Sequence, residues 1–147
     1  MLKHLELRNF KCFEKLNLDL KSVNVFTGLN GMGKSTVIQS LLVLYQSLNN
    51  NSNAAGLKFN ADLISLGNSQ DVFYDKAEEN NIQINITNTE EKKFNYKTEY
   101  KQDVDFLPFV ANNPDEKFIS DSSFTFLSEY YFLLLCRKTH LENFLKK

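Results

Sequence analysis

Gly28-Leu-Asn-Gly-Met-Gly-Lys-Ser-Thr36 decides how the rest of this chain is read. It fits Gly, four residues, then Gly-Lys-Ser/Thr, which builds a phosphate-binding loop when a strand precedes it and a helix follows. At average residue usage the four fixed positions coincide by chance in on the order of one window in 10⁴ to 10⁵. Before the loop, Val23-Asn-Val-Phe26 reads as a short strand leading to Thr27. After it, from Lys34 to about residue 48, Val37, Ile38, Leu41, Leu42, Leu44 and Tyr45 recur at helical spacing. They cover more than a narrow stripe, as a helix set between a sheet and a second layer requires.

In that setting the backbone N–H groups of Gly31 to Ser35, Met32 among them, turn inward and cradle phosphates. The helix N-terminus adds its partial positive charge and unsatisfied donors. Glycine suits positions 28, 31 and 33, where the backbone bends unusually and approaches the phosphates closely. Lys34 can reach the β- and γ-phosphate oxygens, and the Ser35 hydroxyl can ligate Mg2+. The spacing therefore predicts a nucleoside triphosphate site over Gly28–Thr36, with ATP and Mg2+ as its ligands.

Outward from the loop, residues 2–7 and 16–20 alternate apolar and polar side chains with period two, the mark of strands with one apolar face. The short connection from Arg8 to Phe13 predicts an antiparallel hairpin or meander. Residues 49–56 read as a surface loop. Ile82–Ile86 and Phe94–Tyr100 alternate strictly, with a turn over Glu90–Lys93 between them. Phe124–Leu127 reads as another strand after a polar loop, and the tail from Ser128 as helical. No internal repeat or linker divides the chain. The fold class expected is α/β: a mixed sheet with an antiparallel portion and one principal helix.

A chain of 147 residues has room for one domain. Its 42% hydrophobic and 24% charged residues are those of an ordinary globular protein. A formal net charge of -1 gives no global electrostatic reason to expect nucleic acid or an anionic membrane as partner. Cys12 and Cys136 are too few and too far apart for a disulfide framework or a zinc site, and read as reduced, half-buried thiols. The N-terminus has no signal-peptide core. The longest apolar run, Tyr130–Cys136, falls far short of the ~20 residues that span a bilayer. The expectation is a cytoplasmic protein with no membrane partner.

Leu5-Glu-Leu-Arg-Asn-Phe-Lys-Cys-Phe13, followed by Asn24-Val-Phe-Thr-Gly-Leu-Asn-Gly-Met-Gly-Lys-Ser-Thr36, resembles the ABC-type ATPase heads of the SMC, Rad50, RecF and OLD group. In these heads antiparallel strands precede the phosphate loop. Val37–Ser47, with its Gln-x-Leu-Leu run, is similar to the helix of bacterial AAA-family ATPases related to OLD nucleases, and Leu66–Val72 is similar to a later segment. The match is specific over residues 1–47, looser to about residue 88 and weak beyond. The resemblance implies that Asn30 belongs to the nucleotide-binding set as a brace of the loop. It also implies that Arg8 and Lys11 lie near the nucleotide. Both residues read equally well as solvated charges flanking a strand. Phe10 and Phe13 read as residues that approach the adenine or, the better reading, as buried sheet residues, and Gln39 as facing a packing neighbour.

ABC-type hydrolysis also needs a buried acidic pair at the end of an apolar strand, and a Ser-Gly-rich signature segment supplied by a second head. No run of four apolar residues ending in Asp-Glu or Asp-Asp follows residue 36, and no glycine follows Gly67. Asp62, Asp71, Asp75, Glu78 and Glu79 read as solvated surface charges. His4 and His140 are isolated. No catalytic residue is assigned; Asp71 and Glu129 are the first to test should turnover be found. Residues 1–127 thus read as a partial head and 128–147 as a tail, the N-terminal portion of a larger ATPase. Three outcomes stay open: an ATPase completed by a second head or companion chain, a non-hydrolysing nucleotide-binding module, or an inactive fragment. DNA enters as a partner through the resemblance alone. Relatives serving DNA repair, chromosome maintenance and phage defence leave the biological process open.

Overall fold

The computed structural model describes residues 1–49 and 55–110. Two antiparallel sheets and two helices make up this part. The larger sheet has the order β2-β1-β4-β5, from β1 (Leu2–Phe10), β2 (Phe13–Asp19), β4 (Asn81–Asn88) and β5 (Lys93–Glu99). The smaller pairs β3 (Gly56–Lys58) with β6 (Phe106–Pro108). Helix α1 spans Lys34–Asn49, and α2 is the single turn Ser69–Val72.

Register follows from the apolar alternation. Leu7 faces Leu16 on one side and Ile84 on the other, and Ile84 in turn faces Tyr96. Leu5, Leu7, Ile82, Ile84 and Ile86 are fully or almost fully buried, while Glu6, Arg8, Gln83 and Asn85 alternate with them on the polar face. Slipping one strand by a residue would exchange those faces, which is why the pairing is unambiguous. Burying a branched aliphatic side chain contributes about 1.5–3 kcal/mol, so this row of five is a large part of what holds the sheet.

Helix α1 buries Val37, Val43, Leu44 and Leu48 in the same core. Two polar residues fix it to β3: Gln46 Nε2 donates to the Lys58 carbonyl at 2.7 Å, and the Lys58 N–H donates to Ser47 Oγ at 2.8 Å. The strands expected over 2–7, 16–20, 82–86 and 94–100 all form, and the helix expected from Lys34 ends within a residue of its predicted end. The Arg8–Phe13 connection tightens to the two residues Lys11 and Cys12, with Phe10 paired to Phe13 across the turn.

Val23–Phe26 does not form the expected third strand. Asn24 exchanges hydrogen bonds with Lys21, accepting from its N–H at 2.9 Å and donating to its carbonyl at 2.7 Å. That side-chain-to-backbone exchange bends the chain into a turn. Val23 and Val25 are 74% and 72% exposed, so no burial drives a ladder there, and the segment has no strand partner among the described residues. Every strand pair described is antiparallel, where a mixed sheet was expected. The strand expected at 124–127 and the helical tail lie outside the described residues.

Candidate functional site

The loop expected to hold phosphates runs from Gly28 to Gly33, and α1 begins at Lys34. Gly28, Gly31 and Gly33 have φ of 139°, 83° and 81°. L-residues adopt such values rarely, so glycine is required for the path the chain takes here. The loop is open to solvent, with Leu29 78% and Met32 69% exposed. Asn30 and Ser35 are exposed as well, while Thr36 is buried in the first turn of α1.

Lys34 folds back over this loop. Its Nζ donates to the carbonyl of Gly28 at 2.8 Å and to that of Leu29 at 2.5 Å. The first turn of α1 carries no acidic residue, so nothing offsets the partial positive charge of its N-terminus. The Lys34 ammonium and the N-terminus of α1 thus lie together beside an exposed loop, a setting suited to an anion of several oxygens.

The β1–β2 hairpin tip stands against the loop. An ideal Cβ on Gly33 would lie 2.8 Å from Cys12 Sγ and 2.9 Å from Phe13 Cε2. Cys12 Sγ donates to Thr36 Oγ1 at 3.6 Å, and Lys11 Nζ donates to Gln39 Oε1 at 3.0 Å. Gln39 therefore faces a packing neighbour, as its sequence position suggests. Cys12 is exposed, in contrast to the half-buried thiol expected. Cys136 lies outside the described residues.

Arg8 is placed differently. Its Nε donates to Glu6 Oε1 at 2.9 Å on the polar face of the sheet, opposite the core. Burial pushes the Glu6 carboxyl up, but hydrogen bonds from Asn85 and Arg8, with the Arg8 and Lys15 charges, outweigh it and hold the group below its ordinary value. This pair belongs to the sheet face.

The acidic residues considered as catalytic substitutes lie at the surface, and two of them have structural partners. Asp62, Asp71, Asp75, Glu78 and Glu79 are all exposed. Asp71 completes a capping box at α2: its carboxylate accepts from the Asn68 N–H at 3.0 Å, and the Asn68 side chain accepts from the N–H groups of Gln70 and Asp71. Glu79 Oε2 accepts from Asn81 Nδ2 at 2.8 Å. No group of three or more His, Cys, Asp or Glu that could hold a metal occurs among the described residues. Glu129 lies outside them. The sequence reading missed that Cys12 and Phe13 pack on Gly33, having set Phe13 either near the adenine or in the sheet. The only available hint was their place at the turn between two strands.

No helix among the described residues is long and apolar enough to cross a membrane. Over 71 residues the chain is 34% identical to the DNA replication and repair protein RecF of Clostridioides difficile, covering 46% of this chain and 19% of that protein. Over 41 residues it is 39% identical to the OLD nuclease of Thermus scotoductus, covering 28% of this chain and 8% of the nuclease. The chain therefore spans less than a fifth of the length of the curated relatives it matches. The AAA ATPase domain family matches residues 1–145, nearly the whole sequence with its glycine-rich loop and following helix, and the chain belongs to that family.

Proposed function

We propose that this chain binds ATP with Mg2+ through Gly28–Thr36, as part of an ATPase head of the SMC, RecF and OLD kind. The observation that carries the reading is the Lys34 ammonium held over a loop of positive-φ glycines that opens straight into α1. The N–H groups of Gly31–Ser35 would surround the phosphates, and Lys34 would exchange its two carbonyl partners for β- and γ-oxygens. Ser35, exposed at the start of α1, would ligate Mg2+. Asn30 would brace the loop from its exposed face. Of the two basic neighbours implied by the resemblance, Lys11 sits on the hairpin tip and bonds to Gln39 of α1, while Arg8 is committed to Glu6.

Membership of an ATPase family supports nucleotide binding. The likeness to a DNA replication and repair protein and to a nuclease supports DNA as a partner of the whole protein, and the family resemblance implies a second head or companion chain. Isothermal titration with Mg-ATP tests the binding step directly. Saturable binding that Lys34→Ala strongly weakens is the expected result; equal affinity in both chains would overturn the assignment.

A further inference from the structure

Two bends of the backbone meet at Gly33. One is the loop itself; the other is the two-residue turn of the β1–β2 hairpin, where Lys11 has φ 52°. The favoured two-residue hairpin turns need such a φ at their first position. Cys12 and Phe13 fill the space that a side chain at position 33 would occupy. At Gly28 and Gly31 that space is open, so Gly33 is the loop glycine that is gripped from outside.

The gripping element is itself anchored. The Lys11 N–H donates to the Val72 carbonyl at 2.7 Å, tying the tip to α2. Cys12 and Lys11 reach Thr36 and Gln39, three residues apart and hence on one face of α1. The tip therefore touches the last glycine of the loop and the first two turns of the helix at once, and it is held from behind by a third element.

We propose that the hairpin tip Lys11–Phe13 is a positioning element for the phosphate loop, with Phe13 its principal contact. By occupying the side-chain space at position 33, it keeps Gly33 left-handed and fixes where the next N–H groups and Lys34 point. A loop ordered in advance does not have to lose that backbone freedom on binding, which is worth roughly five- to thirtyfold in affinity for one residue's backbone. The contribution to affinity rests on the nucleotide reading above; the ordering of the loop does not.

The test uses the full chain and two readouts. Loop exchange, here the hydrogen exchange of the Val37 amide that donates to the Gly33 carbonyl at 3.2 Å, is followed without nucleotide, and Mg-ATP affinity is measured by calorimetry. The variants are Phe13→Ala, Phe13→Leu and, as a control, Leu18→Ala. Leu18 lies five residues further along β2, roughly 16 Å away, and pairs with Leu5. Phe13→Ala should speed exchange of the Val37 amide about tenfold and weaken Mg-ATP binding by a similar factor. Phe13→Leu, which keeps apolar bulk, should restore most of both. Leu18→Ala should lower the unfolding midpoint and leave loop exchange at its wild-type rate.

Unchanged loop exchange in Phe13→Ala would overturn the proposal, as would equal acceleration in Leu18→Ala. A wild-type chain that fails to bind Mg-ATP would overturn the nucleotide reading alone, and loop exchange would still decide the role of the tip. Should Phe13→Ala fail to fold, Phe13→Val is too short to fill the space at Gly33 and carries the same exchange test.

Discussion

The Lys34 ammonium donates to the carbonyl of Gly28 six residues earlier, closing a ring over the loop between them. A cation held this way is poised above the loop, and its present partners are neutral carbonyls. Hydrogen bonds to charged groups contribute about 1.5–3 kcal/mol. Lys34→Ala should therefore weaken Mg-ATP binding by about 10- to 100-fold in calorimetric titration. Lys34 is a half-buried residue at the first position of α1, bordering an open loop, so the urea midpoint should hardly move.

Gly31 and Gly33 share nearly the same positive φ but not the same surroundings. A left-handed conformation costs an L-residue about 1–2 kcal/mol, and Gly31→Ala should lose about that much stability. Gly33→Ala adds overlap with Cys12 and Phe13, so its loss should be larger and its ATP affinity lower. Equal urea curves for the two variants would show that the tip does not press on Gly33.

Asp71 tests whether an exposed carboxylate is structural or chemical. As a capping-box member it should cost about 1 kcal/mol of stability when changed to Ala. Nucleotide affinity should stay at the wild-type value. A loss of affinity without a loss of stability would return Asp71 to the site.

Glu6 gives the fold a pH dependence of known sign. Its carboxyl is held below the ordinary value of 4.5 in the folded chain. The unfolded chain therefore binds a proton first as pH falls, and the stability from Glu6 is complete above the unfolded value. It is lost as pH drops through the lower folded value. Urea midpoints of wild type and Glu6→Gln should differ most near neutrality and converge in acid. A gap that widens on acidification would contradict the Arg8 and Asn85 contacts as its source.

Hydrolysis by this chain alone should be negligible. In phosphoryl transfer one missing charge-stabilising group lowers the rate by roughly 10³- to 10⁵-fold. The sequence has neither an apolar strand ending in paired acids nor a signature segment. Phosphate release should match a Lys34→Ala control at every protein concentration. Turnover rising steeply with concentration would point to a carboxylate contributed across a dimer, and Glu129 would be the first to change.

The amino-acid sequence by itself determined what depends on neighbours along the chain. Alternation placed Leu5, Leu7, Ile82, Ile84 and Ile86 on one sheet face, because side chains of a strand point to opposite sides in turn. Helical spacing placed α1, and the glycine pattern placed the bends at 28, 31 and 33. The fate of Val23–Phe26 was a matter for the tertiary structure, since a short apolar run becomes a strand only where another strand offers its N–H and C=O groups. At Lys21–Asn24 a local side-chain bond offers those partners instead. Tertiary structure also decided that Cys12 and Phe13 touch Gly33, 20 or more residues away in sequence. It decided too that Lys11 reaches Gln39 of α1, whereas Arg8, three residues before, pairs with Glu6 inside β1. Residue types and spacing carry no information on such contacts, because they arise from how a hairpin turn and a helix start are brought together around the shared core.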